Sequence, residues 1–195
     1  MPDFKALWEG GHTFEAFLAA STKHKGLWEG IYGIARIPEW AAAAVPAGTR
    51  RKLLAIAEDW CGDASSTIPV VAKLAATVPG LELRVILRDQ HPEVMDRYLT
   101  HGSRSIPIVI ALDDEYAELG HWGPRPSELQ AWVMERRLTV PKAELYPQVR
   151  QWYARDHGET TLREVLAAAG LTVAGQGVER RGHPERSEGS ADECT

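Results

Sequence analysis

The residue with the clearest capacity for chemistry is Cys61, in the segment EDWCGDA. A short apolar run precedes this segment and a helical pattern follows it, which predicts a cysteine between a strand end and a helix start. Free backbone N–H groups and the helix dipole favour a thiolate there, so Cys61 is a candidate nucleophile. A buried, inert cysteine is the alternative. Nearby carboxylates oppose the thiolate, and three lie within three positions: Glu58, Asp59 and Asp63.

The neighbours of Cys61 have competing interpretations. Asp63 is a candidate general acid or base toward the thiol, or it complements the helix dipole. Trp60 either forms a flat recognition surface beside the sulfur or caps the core, and Gly62 belongs to the turn around it. Arg125 could contact an anion or a thiol cofactor, although we expect a solvated side chain for an arginine between two prolines.

The surrounding pattern predicts an α/β sandwich. A mixed central sheet is expected because a βαβα order favours parallel pairing of the first two strands, whereas Asp113 and Asp114 join the last two as an antiparallel hairpin. Thr13 is a predicted N-cap, and Pro38 fits the first turn of a short helix. The predicted strands are 52–58, 81–89, 106–112 and 116–122, and the predicted helices lie within 4–44 and at 61–78, 91–102, 126–138, 141–158 and 160–170.

The chain of 195 residues is long enough for one domain with helical extensions. The predicted division is a helical N-terminal extension, a central domain, two C-terminal helices and a polar, disordered tail that contains Cys194. These parts span residues 1–44, 45–140, 141–172 and 173–195.

Composition excludes several classes of partner. The net charge of −5 gives no basic surface for nucleic acid. No apolar stretch resembles an export signal or a membrane span, so a cytoplasmic location without membrane contact is expected. The two cysteines form no disulfide framework. No cofactor is implied, and no metal site is expected, because the histidines lack ligand spacing relative to Cys61.

Several motifs together resemble the thioredoxin family. They are EDWCGDA after a strand, Pro69 within the following helix, and SIPIVI at 105–110. More narrowly, EDWCGD, ILRD, RYL, SIP and WGPRP resemble a bacterial thioredoxin-like subgroup with a Trp-Cys-Gly-Asp motif, and the resemblance covers about residues 10–138.

The resemblance implies a thioredoxin-like fold and a substrate edge. In thioredoxins a proline placed like Pro107 is cis and faces the cysteine, and the residue before it, here Ile106, pairs with an extended peptide. Two positions depart from the family. Ala64 replaces the second cysteine of the dithiol motif, and Ala55 stands where a buried aspartate is usual.

Two functions follow from these observations. The first is a monothiol redox protein, a candidate thiol-disulfide oxidoreductase, in which Cys61 forms mixed disulfides with protein clients or low-molecular-weight thiols. The second is a redox-inactive binding module that uses the groove beside Pro107, with the helical extensions as a partner surface or homodimer interface. Cluster binding is disfavoured because the Cys-Gly-Phe-Ser motif of monothiol glutaredoxins is absent. A resolving role for Cys194 is also disfavoured by the composition of the tail.

Overall fold

A computed structural model describes residues 2–171 of the chain, and a four-stranded sheet lies at its centre in the order β2-β1-β3-β4. The strands are β1 (Arg51–Ala57), β2 (Leu81–Leu87), β3 (Ile108–Leu112) and β4 (Glu118–Trp122). The helices are α1 (Phe4–Gly10), α2 (Phe14–Ala20), α3 (Lys25–Ile34), α4 (Glu39–Ala43), α5 (Gly62–Thr77), α6 (Pro92–Met95), α7 (Ser127–Arg136), α8 (Lys142–Asp156) and α9 (Glu159–Ala168), with a 3₁₀ helix at Arg88–Gln90.

The sheet is mixed, as the element order predicts. β1 pairs in parallel with β2, placing Ala55 opposite Val85, and antiparallel with β3, placing Ala55 opposite Val109. β3 and β4 form the expected antiparallel hairpin. Every residue of β3 is buried, as expected for an apolar central strand covered on both faces. The α/β sandwich prediction is therefore confirmed.

The N-terminal region consists of four short helices. Thr13 caps α2 as predicted, because its Oγ1 accepts the Ala16 N–H at 3.1 Å. Between α1 and α2, His12 forms an antiparallel bridge with Val85 of β2. Its N–H donates to the Val85 carbonyl, and its carbonyl accepts the Val85 N–H, each at 2.9 Å. Trp28 of α3 is fully buried in the main core. These contacts join the N-terminal helices to the sheet.

The predicted helix at 91–102 is wrong in length, because α6 ends at Met95. Beyond it, the Tyr98 N–H donates to the Met95 carbonyl, and Thr100 and Ser103 pair with each other. The Tyr98 hydroxyl is drawn to β4, where it donates to Glu118 at 3.0 Å. Tertiary contacts therefore replace the helix with turns before β3.

Of the C-terminal helices, α9 packs against the sheet and against α5. α9 lies against β4, where a Cβ at Gly120 would approach the Ala168 carbonyl oxygen to 2.7 Å. α8 ends at Asp156 with His157 as its C-cap residue, and Gly158, with a left-handed φ of 82°, is the N-cap residue of α9. A second apolar cluster joins α7 to α8 through Leu129, Val133, Leu145, Val149 and Tyr153.

The proposed division into four parts stays a prediction. Its last part, with Cys194, falls outside the described residues. Within residues 2–171 no helix has both the length and the apolar character needed to cross a membrane.

Candidate functional site

The Cys61 sulfur lies where the start of α5 meets the segment before β3. Cys61 is the N-cap residue of α5, and its Sγ accepts the Ala64 N–H at 3.4 Å. Its thiol donates to the Ile106 carbonyl, also at 3.4 Å. The side chain is buried, with 8% of the residue surface exposed. The fold thus brings together the two segments that the sequence singled out.

Burial sets the protonation of Cys61. Desolvation raises the pKa of its thiol, and the Asp63 carboxylate raises it further, whereas the Ala64 N–H and the Arg125 guanidinium lower it. The net shift is upward. An unperturbed cysteine with a pKa of about 8.5 is roughly 3% thiolate at pH 7, so Cys61 has a smaller thiolate fraction and rests as a thiol.

A buried network surrounds Asp63. Arg125 donates from Nε to Asp63 Oδ1 at 2.9 Å and from Nη2 to Oδ2 at 2.5 Å. The Tyr153 hydroxyl donates to Oδ1 at 3.0 Å, and Arg125 Nη1 donates to Gln130 at 2.8 Å. A carboxylate withdrawn from water needs such partners. Both Asp63 oxygens are therefore engaged away from the thiol, which favours a structural role for this residue.

The expectation of a solvated Arg125 is wrong, because its side chain is only 14% exposed and pairs with Asp63. Burial alone would lower the pKa of the guanidinium, but the Asp63 carboxylate raises it overall. Burial and the same carboxylate raise the pKa of Tyr153 well above its usual value. The network therefore contains a cationic arginine and a neutral tyrosine at neutral pH.

Sequence reasoning missed Tyr153. This residue lies in α8, outside the segment that resembles thioredoxins, and only the packing of α8 brings it to Asp63. A tyrosine at helical spacing from Val149 in the sequence indicates packing, and it carries no sign of a carboxylate partner.

The other two carboxylates beside Cys61 have separate partners. Glu58 accepts the Asp89 N–H at 2.9 Å, and burial is the main cause that raises the pKa of Glu58. Asp59 Oδ2 accepts the N–H groups of Thr22 and Lys23, each at 2.8 Å. Asp59 thus connects the segment between β1 and Cys61 to the segment between α2 and α3.

Trp60 forms part of the exposed surface next to the sulfur. It is 43% exposed, and the Arg88 guanidinium lies 4.8 Å from its ring centroid. This position fits the recognition-surface interpretation better than the core-capping one.

The Ile106–Pro107 peptide bond is cis, and both residues are buried. Behind Pro107, Gly123 has a φ of 130°, and a Cβ there would lie 2.1 Å from the Pro107 carbonyl oxygen. Glycine is needed at that position for both reasons. A Cβ at Gly62 would meet nothing within 4 Å, so crowding does not require the glycine beside Cys61.

The two positions that depart from the dithiol pattern hold methyl groups. Ala64 and Ala55 are both fully buried, and neither offers a sulfur or a carboxylate to Cys61. Cys61 is a free thiol. In the described part of the chain, no three His, Cys, Asp or Glu side chains are grouped as a metal ion would need.

Comparison with known proteins supports the fold. The family model described as thioredoxin matches residues 11–142. The 1.5 Å crystal structure of a protein of unknown function, PA1234 from Pseudomonas aeruginosa, superposes with a TM-score of 0.71 and 20% identity. A crystal structure of an HIV epitope scaffold gives 0.68 and 20%. Each alignment covers 87% of this chain and 98% of the other. None of the curated proteins matches the sequence.

Proposed function

Because the chain belongs to the thioredoxin family, we propose that it is a monothiol redox protein in which Cys61 forms mixed disulfides with protein or low-molecular-weight thiols. We place it in the subgroup with the Trp-Cys-Gly-Asp motif, and in the cytoplasm, where a reducing environment keeps Cys61 as a thiol. One observation carries the proposal: the sulfur is held between the Ala64 N–H and the Ile106 carbonyl.

That position suits attack on a docked disulfide. A client segment in extended conformation can hydrogen-bond to the backbone of Ile106, which brings its disulfide to Cys61. The N–H groups at the start of α5 then stabilise the thiolate that forms as the proton leaves. Trp60 offers the exposed apolar surface beside this contact.

The chemistry is a two-step thiol-disulfide exchange. The Cys61 thiolate attacks one sulfur of a client disulfide, an S–S bond to Cys61 forms, and the client sulfur leaves as a thiolate. A second, external thiolate attacks the client sulfur of this mixed disulfide, so that a new disulfide forms between the external thiol and the client group and Cys61 leaves as its thiolate. An external thiol is required because Ala64 occupies the position of a resolving cysteine.

The test is covalent trapping by Cys61. A peptide that carries a mixed disulfide is incubated with the Cys194→Ser protein, and the products are followed by intact mass. We expect an adduct on Cys61 that a second thiol removes with release of the free peptide. The matched Cys61→Ser/Cys194→Ser protein should form none. An unmodified Cys61 in the folded protein, under conditions that modify the unfolded chain, would contradict the proposal.

A second candidate function is a binding module without redox turnover, acting through the groove beside Pro107 or through the helical extensions as a partner or homodimer surface. The burial of Cys61 and its raised pKa favour this alternative. The two functions differ in one measurement. Cys61→Ser abolishes capture of a redox client, whereas a binding module with that substitution retains its partner at unchanged affinity.

A further inference from the structure

A cleft of about 360 Å³ opens between α7, α8 and the loop before β3. This volume lies within the usual range for small-molecule sites. Its walls include polar and charged side chains, among them Thr100, Ser105, Arg125, Arg137 and Lys142, together with the aromatic Tyr146.

The cleft is positively charged. Three cationic side chains line it, and the lining includes no carboxylate. Arg125 is paired with Asp63 at its base. Arg137 and Lys142 are exposed, and neither forms an ion pair with a carboxylate of residues 2–171. Two cations at the mouth of a concave surface attract an anionic ligand.

The cleft adjoins the reactive sulfur. Ser105, in its wall, precedes Ile106, whose carbonyl accepts the Cys61 thiol at 3.4 Å. Consecutive Cα atoms are separated by about 3.8 Å, so the wall of the cleft is one residue away from the group that contacts the sulfur. Arg125 makes a second connection, because it lines the cleft and also binds Asp63, two positions after Cys61.

We propose that this cleft binds the carboxylates of an anionic low-molecular-weight thiol, the co-reactant that resolves the mixed disulfide on Cys61. Arg137 and Lys142 hold the carboxylates. The thiolate of the bound molecule attacks the sulfur of the group attached to Cys61, a disulfide between that molecule and the group forms, and Cys61 leaves as its thiolate. The inference rests on the function proposed above and names the class of its second substrate.

The experiment compares three small disulfides as reagents for Cys61 in the Cys194→Ser background. They are glutathione disulfide, which is anionic, bis(2-hydroxyethyl) disulfide, which is neutral, and cystamine, which is cationic. Rates of adduct formation are measured by intact mass at low ionic strength. The test protein carries Arg137→Gln and Lys142→Gln. The control carries Arg136→Gln and Arg155→Gln, which remove equal charge from exposed positions outside the cleft.

We expect Cys61 of the parent protein to react with glutathione disulfide about tenfold faster than Cys61 of the test protein does. The neutral reagent should react equally with all proteins, and the control should behave like the parent. Equal rates in the test and control proteins with glutathione disulfide would overturn the cleft assignment while leaving the redox function in place. Failure of all three reagents to modify Cys61 would instead refute the redox function itself.

Discussion

Replacing Arg125 with methionine should destabilise the protein strongly, because the substitution leaves the Asp63 carboxylate buried without a cation. The Asp63 and Arg125 side chains are 7% and 14% exposed, and two hydrogen bonds join them. Removing one partner of a buried ion pair costs about 3 to 5 kcal/mol. For a domain of this size, 3 kcal/mol corresponds to a fall in Tm of roughly 6 to 12 °C.

The assay is urea unfolding at pH 7.5, followed by tryptophan fluorescence, with Arg155→Met as the control. Arg155 is exposed in the last turn of α8, so its replacement should change the free energy of unfolding by less than about 0.5 kcal/mol. Adding Asp63→Asn to Arg125→Met removes the unpaired charge and should recover at least about 2 kcal/mol. A loss below about 1 kcal/mol in the single variant, or purely additive losses in the double variant, would refute this reasoning.

Three further measurements test other contacts. The rate of Cys61 alkylation by iodoacetamide should rise with pH and give an apparent pKa above about 8.5, since burial raises the pKa of the thiol; a lower value would contradict this account. Asp59→Ala should cost about 1.5 to 3 kcal/mol at pH 7. Burial opposes ionisation of Asp59, but the hydrogen bonds that it accepts lower its pKa overall. The stability that Asp59 contributes is therefore present above its unfolded pKa and lost as pH falls through its folded pKa. In chemical unfolding, the loss in free energy caused by Asp59→Ala should therefore shrink below about pH 4. A loss that does not change with pH would contradict a role for the charge of Asp59. Gly123→Ala should lower the free energy of unfolding by at least about 2 kcal/mol, since its Cβ would meet the Pro107 carbonyl. Gly62→Ala is the control, because a Cβ there meets open space and should not lower stability. Equal effects of the two substitutions on Tm would contradict a close approach between Gly123 and the Pro107 carbonyl.

Local patterns were sufficient to predict the framework of the site. Strand β1, the start of α5 at Cys61 and the Thr13 cap depend on residues within a few positions of one another, so periodicity and capping preferences reveal them. The parallel pairing of β1 with β2 follows from the order of elements alone. These features place Cys61 shortly after β1, at the start of α5.

The errors arose where tertiary contacts decide the outcome. The segment after Met95 has a helical pattern, yet the bond from Tyr98 to Glu118 favours turns there. The burial of Arg125 depends on Asp63, which is distant in the sequence and joins it only when the segment after β4 folds against the start of α5. The residues around Asp63 therefore give no indication that Arg125 is its partner, and the residues around Arg125 give no indication of Asp63.

The bridge between His12 and Val85 has a consequence for solubility. β2 is an edge strand of the sheet, and His12 hydrogen-bonds to the N–H and carbonyl of Val85 on its open edge. An open strand edge with apolar residues is a template for pairing with another molecule. A shortened protein that begins at β1 would expose that template, so we expect it to self-associate in proportion to its concentration, even where its individual fold survives.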